Sequence, residues 1–443
     1  MPSRDAYGLE VSTSSRAAVD DYDLGVRALL GFGADAIDRF GDALTHDPDF
    51  ALARAALAVS LYLNEELAEG RVEMDRAAAA APALPARERR HVEALALWVG
   101  GRGNDAIPRI KEILAEHPRD PLLIQRLYFI YFWQGRSSEM LELTRSVLDA
   151  FDAFDGDSYL LGLHAFSLEE NRRFDEGLAL AERAMAINPR DAWAVHAMAH
   201  VHYERGDNAR GIDALPPRIH PCDHLGYFRN HLLWHLALMH LADGRYDRAR
   251  RLFESVFGRM AIAIGSDLQD SVSLAWRLDL YGHPDPARWA HLGAAARGWL
   301  EVPLLLFHDL HVGMALAASG DWASAELQLE RLRQRAKKTR NATLPEVVVP
   351  LLEGLHAFAR GEYAAAAGTI APIEARIVEV GGSHAQRELF HDTLLAAALR
   401  ADLEDSAATL LTRRLAKRPN PGHYWTTVRP VTGPGAREKG IRR

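Results

Sequence analysis

An all-α superhelix of paired helices, an α-solenoid, is the fold class that this sequence predicts, and three observations predict it. Small, bulky and proline residues recur at fixed offsets, with Pro82 following Pro48 by about 34 residues. Glycine-polar-aromatic turns mark where one helix of a pair would end and the next begin. No β-branched alternating run extends beyond a few residues, so nothing offers itself for a sheet.

The first repeat signal places Ala36, Phe40, Ala43 and Pro48 at the spacing of a second helix and its closing turn. Ala106, Ile110, Ile113 and Pro118 reproduce those offsets, and so do Gly177, Ala181, Ala184 and Pro189. Small residues let paired helices approach, the bulky one fills the groove, and proline ends the second helix because it cannot continue it. These are tetratricopeptide-like offsets. Gly244, Gly320 and Gly361 open the strings GRYDRAR, GDWASAE and GEYAAAA, whereas Gly135 opens GRSSEM without the aromatic. The later turns are spaced more widely than the ideal period, so the C-terminal half should hold irregular repeats. Residues 1–15 are expected to form a flexible N-terminus and 16–420 a single solenoid. Residues 421–443, rich in Pro, Gly and basic side chains, are expected to be a mobile tail. Loops are expected at Pro216–Gly226 and Gly282–Pro286 because of their prolines. The aromatic run Tyr128–Trp133 has the look of core between repeats.

Composition excludes several function classes. The chain has 443 residues, 48% hydrophobic and 25% charged, which is ordinary for a globular protein. Its net charge of −8 has no basic block behind it, so nucleic-acid binding and capture by an anionic membrane are not expected. No run reaches the ~20 apolar residues that a membrane span needs. The one cysteine, Cys222, excludes an intramolecular disulfide and fits a reducing, cytoplasmic setting.

Chemistry concentrates between Asp191 and Tyr246. His196, His200, His202, His220, His224, His231, His235 and His240 are eight of the twenty histidines; His220 and His224 fall in the expected loop and the other six on otherwise apolar helical stretches. His196/His200 and His231/His235 are each four apart and so share a helix face. FHDLH adds His308, Asp309 and His311, and GGSHAQRELFHD adds His384 and Arg387. Burying many imidazoles costs free energy unless each has a partner, so a hydrated, histidine-lined concave pocket is the expectation. His231, His235 and His308 are candidate ligands of a divalent metal, although the H-E-x-x-H signature is absent. Alternatively, histidines beside Asp267, Asp270 or Asp309 would shuttle protons, with Arg387 holding a carboxylate or phosphate. Cys222, between His220 and His224, is a weaker nucleophile candidate.

Five strings together resemble the tetratricopeptide repeat protein 38 family: WAVHAMAHVHYERGD, NHLLWHLALMHLADGRYDRA, SDLQDSVSLAWRLDLYG, FHDLHVGMALAASGD and GGSHAQRELFHDTLLAAALR. The resemblance runs from about residue 20 to residue 420. It implies that His200, His231, His235, His308, His311 and His384, with Arg387, belong to one shared site or framework. It supplies no reaction, and the loop HPCDH has no counterpart in it. The combined expectation is a pocket that binds a small polar or peptide-like ligand, with action on that ligand left open. Its catalytic candidates are His200, His231, His235, His308 and His311, with Asp309, His384 and Arg387 as ligand-binding residues. The competing expectation is a non-catalytic adaptor that holds a peptide segment of a protein partner in its groove.

Overall fold

The computed structural model describes residues 3–151, 158–222, 224–258, 262–302, 305–418 and 422–428. The fold class is the predicted one: all-α, built from helical repeats. Where the sequence suggests one continuous body, packing groups the chain into two compact units. The first comprises Met1–Phe132, Arg136–Met198 and Pro217–Arg229; the second comprises Trp133–Gly135, Ala199–Pro216 and Asn230–Arg443.

The first unit opens with a two-stranded ribbon, β1 (Ser3–Arg4) and β2 (Glu10–Val11), followed by α1 (Arg16–Leu30). Tyr7, Leu9 and Val11 bury their side chains in this segment. Helices follow as antiparallel neighbours: α2 (Ala36–His46), α3 (Ala51–Leu63), α4 (Leu67–Ala80), α5 (Ala86–Val99) and α6 (Gly103–Glu116). Then come α7 (Pro121–Phe132), α8 (Ser137–Phe151), α9 (Ser158–Glu170) and α10 (Phe174–Ile187). The repeat residues do what their spacing predicts: Phe40, Ala43, Ala106, Ile110, Ala181 and Ala184 are fully buried. Gly25 shows why small residues recur, since a Cβ there would sit 2.7 Å from the Phe40 ring. His196 lies in this unit within an aromatic cluster of Phe166, Trp193 and Phe228, ring centres 4.6–5.3 Å away.

The boundary between the units passes through α11 (Ala192–Arg205), α12 (Asn208–Ile219) and α13 (Phe228–Ala242). The expected loop at Pro216 starts later than predicted, because α12 runs through both prolines to Ile219. Pro216 and Pro217 are exposed, so water can serve the carbonyls that lose an amide donor.

The second unit continues with α14 (Tyr246–Leu252), α15 (Gly265–Leu280), α16 (Pro286–Ala296), α17 (Leu306–Ala318) and α18 (Trp322–Ala336). It ends with α19 (Val349–Ala359), α20 (Tyr363–Ile370), α21 (His384–Arg400), α22 (Glu404–Ala416) and α23 (His423–Thr427). First helices of successive pairs stack, α15 on α17, α17 on α19 and α19 on α21. Helix α21 also returns to α15, where the Trp276 indole donates to Thr393 Oγ1 at 2.9 Å. Within the stretch read as the tail, Trp425 of α23 is buried and donates to Asp392 at 3.1 Å. Residues 429–443 of that tail lie outside the described residues.

The turns between paired helices adopt the left-handed conformation, at Gly244, Gly320 and Gly361 as predicted and also at Asp402, with φ of 53°. A Cβ at Gly361 (φ 79°) would meet nothing within 4 Å, so its cost is purely conformational. Gly361→Ala is expected to lower unfolding stability by about 1 kcal/mol, and Asp402→Gly to raise it by about 0.5 kcal/mol. Denaturant midpoints at constant m-value would check both.

Asp279 carries a second stability prediction. It accepts the Trp289 indole N–H at 2.6 Å, and burial raises its pKa to about 6 despite that bond. A raised carboxyl pKa costs the folded state nothing below the unfolded value of ~3.9, then progressively more up to about pH 6, and a constant amount above. Asp279→Asn keeps the acceptor and removes the charge. It should stabilise the protein by about 2 kcal/mol at pH 7 and leave it unchanged near pH 4. Equal midpoints for variant and parent at pH 7 would refute the burial argument.

Candidate histidine site

The histidine-bearing helices of the second unit place three of the predicted rings together. His235 of α13 is fully buried, and its ring centre lies 4.4 Å from that of His200, which is also fully buried. His231, one turn before His235, keeps 13% of its side chain exposed. The Nε2 atoms of His231 and His235 are 3.3 Å apart. Trp234 stacks on His231 at 5.3 Å and meets His235 edge-on at 4.8 Å, which holds both rings in place.

Asp270 of α15 fixes the remaining freedom. Its carboxylate lies 2.9 Å from Nδ1 of His231. A carboxylate can only accept, so Nδ1 carries the proton and Nε2 of a neutral His231 presents a lone pair towards His235. One turn earlier, Asp267 accepts from Asn230 at 3.0 Å, and burial raises its pKa to about 6. Successive turns of α15 thus face successive residues of α13.

The other predicted residues are placed elsewhere in the unit. His308 sits against Trp299, with Nδ1 3.3 Å from the Gln269 side chain, and burial pushes its pKa down to about 3. His311 packs on Phe307 and on Phe390 of α21, and Nδ1 donates to the Phe307 carbonyl at 2.8 Å. Burial lowers its pKa to about 4, so both rings are neutral at pH 7. His311 is covered by Phe390 of α21, whereas His308 is covered by Trp299 and by Gln269 of α15. Asp309 points to α18 instead: its carboxylate pairs with Arg335 at 3.1 Å and its carbonyl accepts from Gln328 at 2.8 Å. Burial raises Asp309 to about 6, with Arg335 opposing the shift. Arg387 is engaged locally, donating to the Gly382 carbonyl and lying 3.3 Å from Nδ1 of His384. Cys222 is buried in the first unit, with its thiol 3.5 Å from the Arg218 carbonyl.

The sequence reading missed a buried charged cluster in the second unit. Glu388 receives Tyr203 Oη–H at 2.7 Å, Arg414 at 3.2 Å and Lys417 at 3.3 Å, and Arg418 besides. Asp392 receives Arg414 at 2.7 Å, and Arg418 reaches Glu204 at 3.4 Å. The signal was available: two acids four apart, Glu388 and Asp392, face two arginines four apart, Arg414 and Arg418. A cavity with room for about one water adjoins the cluster, lined by Tyr203, Arg277, Tyr281, Arg414 and Trp425 among others.

Among solved structures the chain is similar to a tetratricopeptide repeat protein from Parabacteroides merdae. The identity is 16%, over 61% of this chain and 98% of that one, with a TM-score of 0.36. It is also similar to yeast Tom70, at 14% identity over 90% and 92% of the two chains, with a TM-score of 0.34. No family profile matches the chain. Among the described residues no helix is long and apolar enough to cross a membrane.

Proposed function

We propose that the second unit binds a zinc-class divalent cation through Nε2 of His231 and Nε2 of His235, and that this ion holds a small polar ligand in its open positions. The observation that carries the reading is the 3.3 Å separation of the two Nε2 atoms, with the far nitrogen of His231 tied to Asp270. Ligands at the ~2.0–2.1 Å Zn–N distance of a tetrahedral site lie about 3.3–3.4 Å from one another. A carboxylate behind a ligating imidazole, as Asp270 stands behind His231, sets its tautomer and raises its basicity. Two protein ligands leave positions open for a substrate or water, and the exposed edge of His231 is where these would enter. His200, beside His235, would shape the far wall. His308 and His311, neutral and enclosed, support the helix packing around the site in this reading. Asp309, His384 and Arg387 contribute through that same packing.

A second reading rests on the same contacts without an ion. Asp270, His231 and His235 form a chain in which His235 Nε2–H donates to His231 Nε2 and His231 Nδ1–H donates to Asp270. Such a chain moves a proton to or from a bound polar ligand near neutral pH. On the strings that resemble the tetratricopeptide repeat protein 38 family, we assign the chain to that family and, on its single cysteine, to the cytoplasm.

Native mass spectrometry of the chain titrated with zinc, beside the His231→Gln/His235→Gln double variant, tests the proposal. One ion per chain, lost in the variant while far-ultraviolet circular dichroism stays the same, is the expected result. No stoichiometric ion on the parent chain, or equal loading of the variant, would overturn the metal reading. The proton relay would then be the surviving assignment.

A further inference from the structure

The first unit carries a groove, remote in sequence from the histidines, along α2, α3 and α4. Ile37, Leu57, Leu61 and Val72 form the apolar floor of this open groove, whose volume is ≈ 810 Å³. Gly41 keeps the α2 wall low, since a Cβ there would meet nothing within 4 Å. Val72, 50% exposed, is the most exposed large apolar side chain among the described residues. With the partly exposed Ile37 and Leu57 beside it, Val72 makes the floor a contiguous apolar strip rather than a single exposed side chain.

The walls decide what partner such a strip takes. Asp38 and Asp42 stand four apart on α2, and Glu69 stands opposite on α4, all three exposed. None of them makes an ion pair with the described residues. Glu73, by contrast, is already neutralised by Arg54 at 2.7 Å and by Arg76. The groove therefore presents an apolar floor between carboxylate walls with uncommitted charge. Acidic peptides and nucleic acids are repelled by it. An extended strand gains nothing either, because the groove is built from helices whose backbone groups are internally bonded and offers no sheet edge. A helix brings its own backbone hydrogen bonds and needs only a matching stripe.

We infer that this groove docks a basic amphipathic helix of a partner protein, with apolar residues at i, i+3, i+4 and i+7 on the floor and Lys or Arg against Asp38, Asp42 and Glu69. The inference is independent of the histidine site, since it rests on other residues in the other unit.

The test uses the full chain and a fluorescein-labelled Leu/Lys amphipathic peptide of about 18 residues, five helical turns, read by anisotropy. The expected result is saturable binding that weakens with salt. It should fall at least about tenfold, or 1.4 kcal/mol, both in Asp38→Lys/Asp42→Lys and in Val72→Asp. These positions are exposed, so circular dichroism and thermal midpoint should match the parent. Absence of binding, or equal affinity in the parent and both variants, would overturn the inference. So would equal binding of a Leu/Glu peptide of the same pattern. Displacement of the probe by a synthetic peptide of residues 429–443 would assign the groove to the chain's own basic C-terminal segment and overturn the external partner.

Discussion

Glu388→Ala is expected to destabilise the protein by about 3–5 kcal/mol, the loss that follows when one member of a buried ionic cluster is deleted and its partners stay charged. Glu388 is 1% exposed and is approached by Arg414, Arg418, Lys417 and the Tyr203 hydroxyl. Removing it leaves the Arg418 guanidinium, itself 3% exposed, with Glu204 as its remaining carboxylate. The same cluster fixes a pH dependence. Burial would raise the Glu388 pKa, but Arg414, Arg418 and Lys417 hold it well below the usual glutamate value. A depressed carboxyl pKa contributes stability that is present above the unfolded value near 4.3 and lost as pH falls through the folded one. The parent should therefore lose stability on acidification below about pH 4, and Glu388→Ala should show a shallower loss over that window. Urea unfolding at pH 7 and at lower pH measures both. A variant within about 1 kcal/mol of the parent at pH 7 would mean that the cluster is solvated and loosely held.

Asp270→Asn is the second large effect, and it tests the metal reading of the histidine site. If the site holds a metal, loss of a carboxylate behind a ligating imidazole should weaken zinc affinity about 10–100-fold. Asparagine can still accept from Nδ1–H, so the ring keeps its orientation and the loss reports ligand basicity. His231 and Asp270 sit on different helices, and the aspartate is almost fully buried, so a measurement of stability must accompany the titration. Unchanged zinc affinity together with unchanged stability would remove Asp270 from the site. Helicity should be the same in both proteins.

Most of the fold was legible because its signals are local. Phe40, Ile110 and Ala181 announce helix pairing through spacing alone, and Gly320 and Gly361 announce the turns. The ribbon at residues 3–11 was not legible, because it depends on contacts distant in sequence such as that of Tyr7 with Phe151. The histidine site was half legible. The i, i+4 pairing of His231 with His235 follows from helix geometry, whereas its connection to Asp270, 39 residues later, depends on how α13 packs on α15. Asp309 shows the limit most plainly. It lies beside His308 in sequence, yet one residue turns a helix by about 100°, and that rotation hands Asp309 to Arg335 and His308 to Gln269. Glu388 and Asp392 were passed over because charges on a helix are ordinarily solvated, and only the arrival of Arg414 and Arg418 makes them interior.

The return of α21 onto α15 sets this unit apart from repeat arrays whose pairs touch only their neighbours. An open array can gain or lose a pair with little disturbance, and it can melt from its ends one pair at a time. In the second unit the stack α15–α17–α19–α21 has no such end, because its last member is also a neighbour of its first. A duplicated or deleted pair would force the ring of helices to reopen. Such a unit is fixed in length, so its diversity has to arise by changing side chains inside it, and it should come apart in a single step.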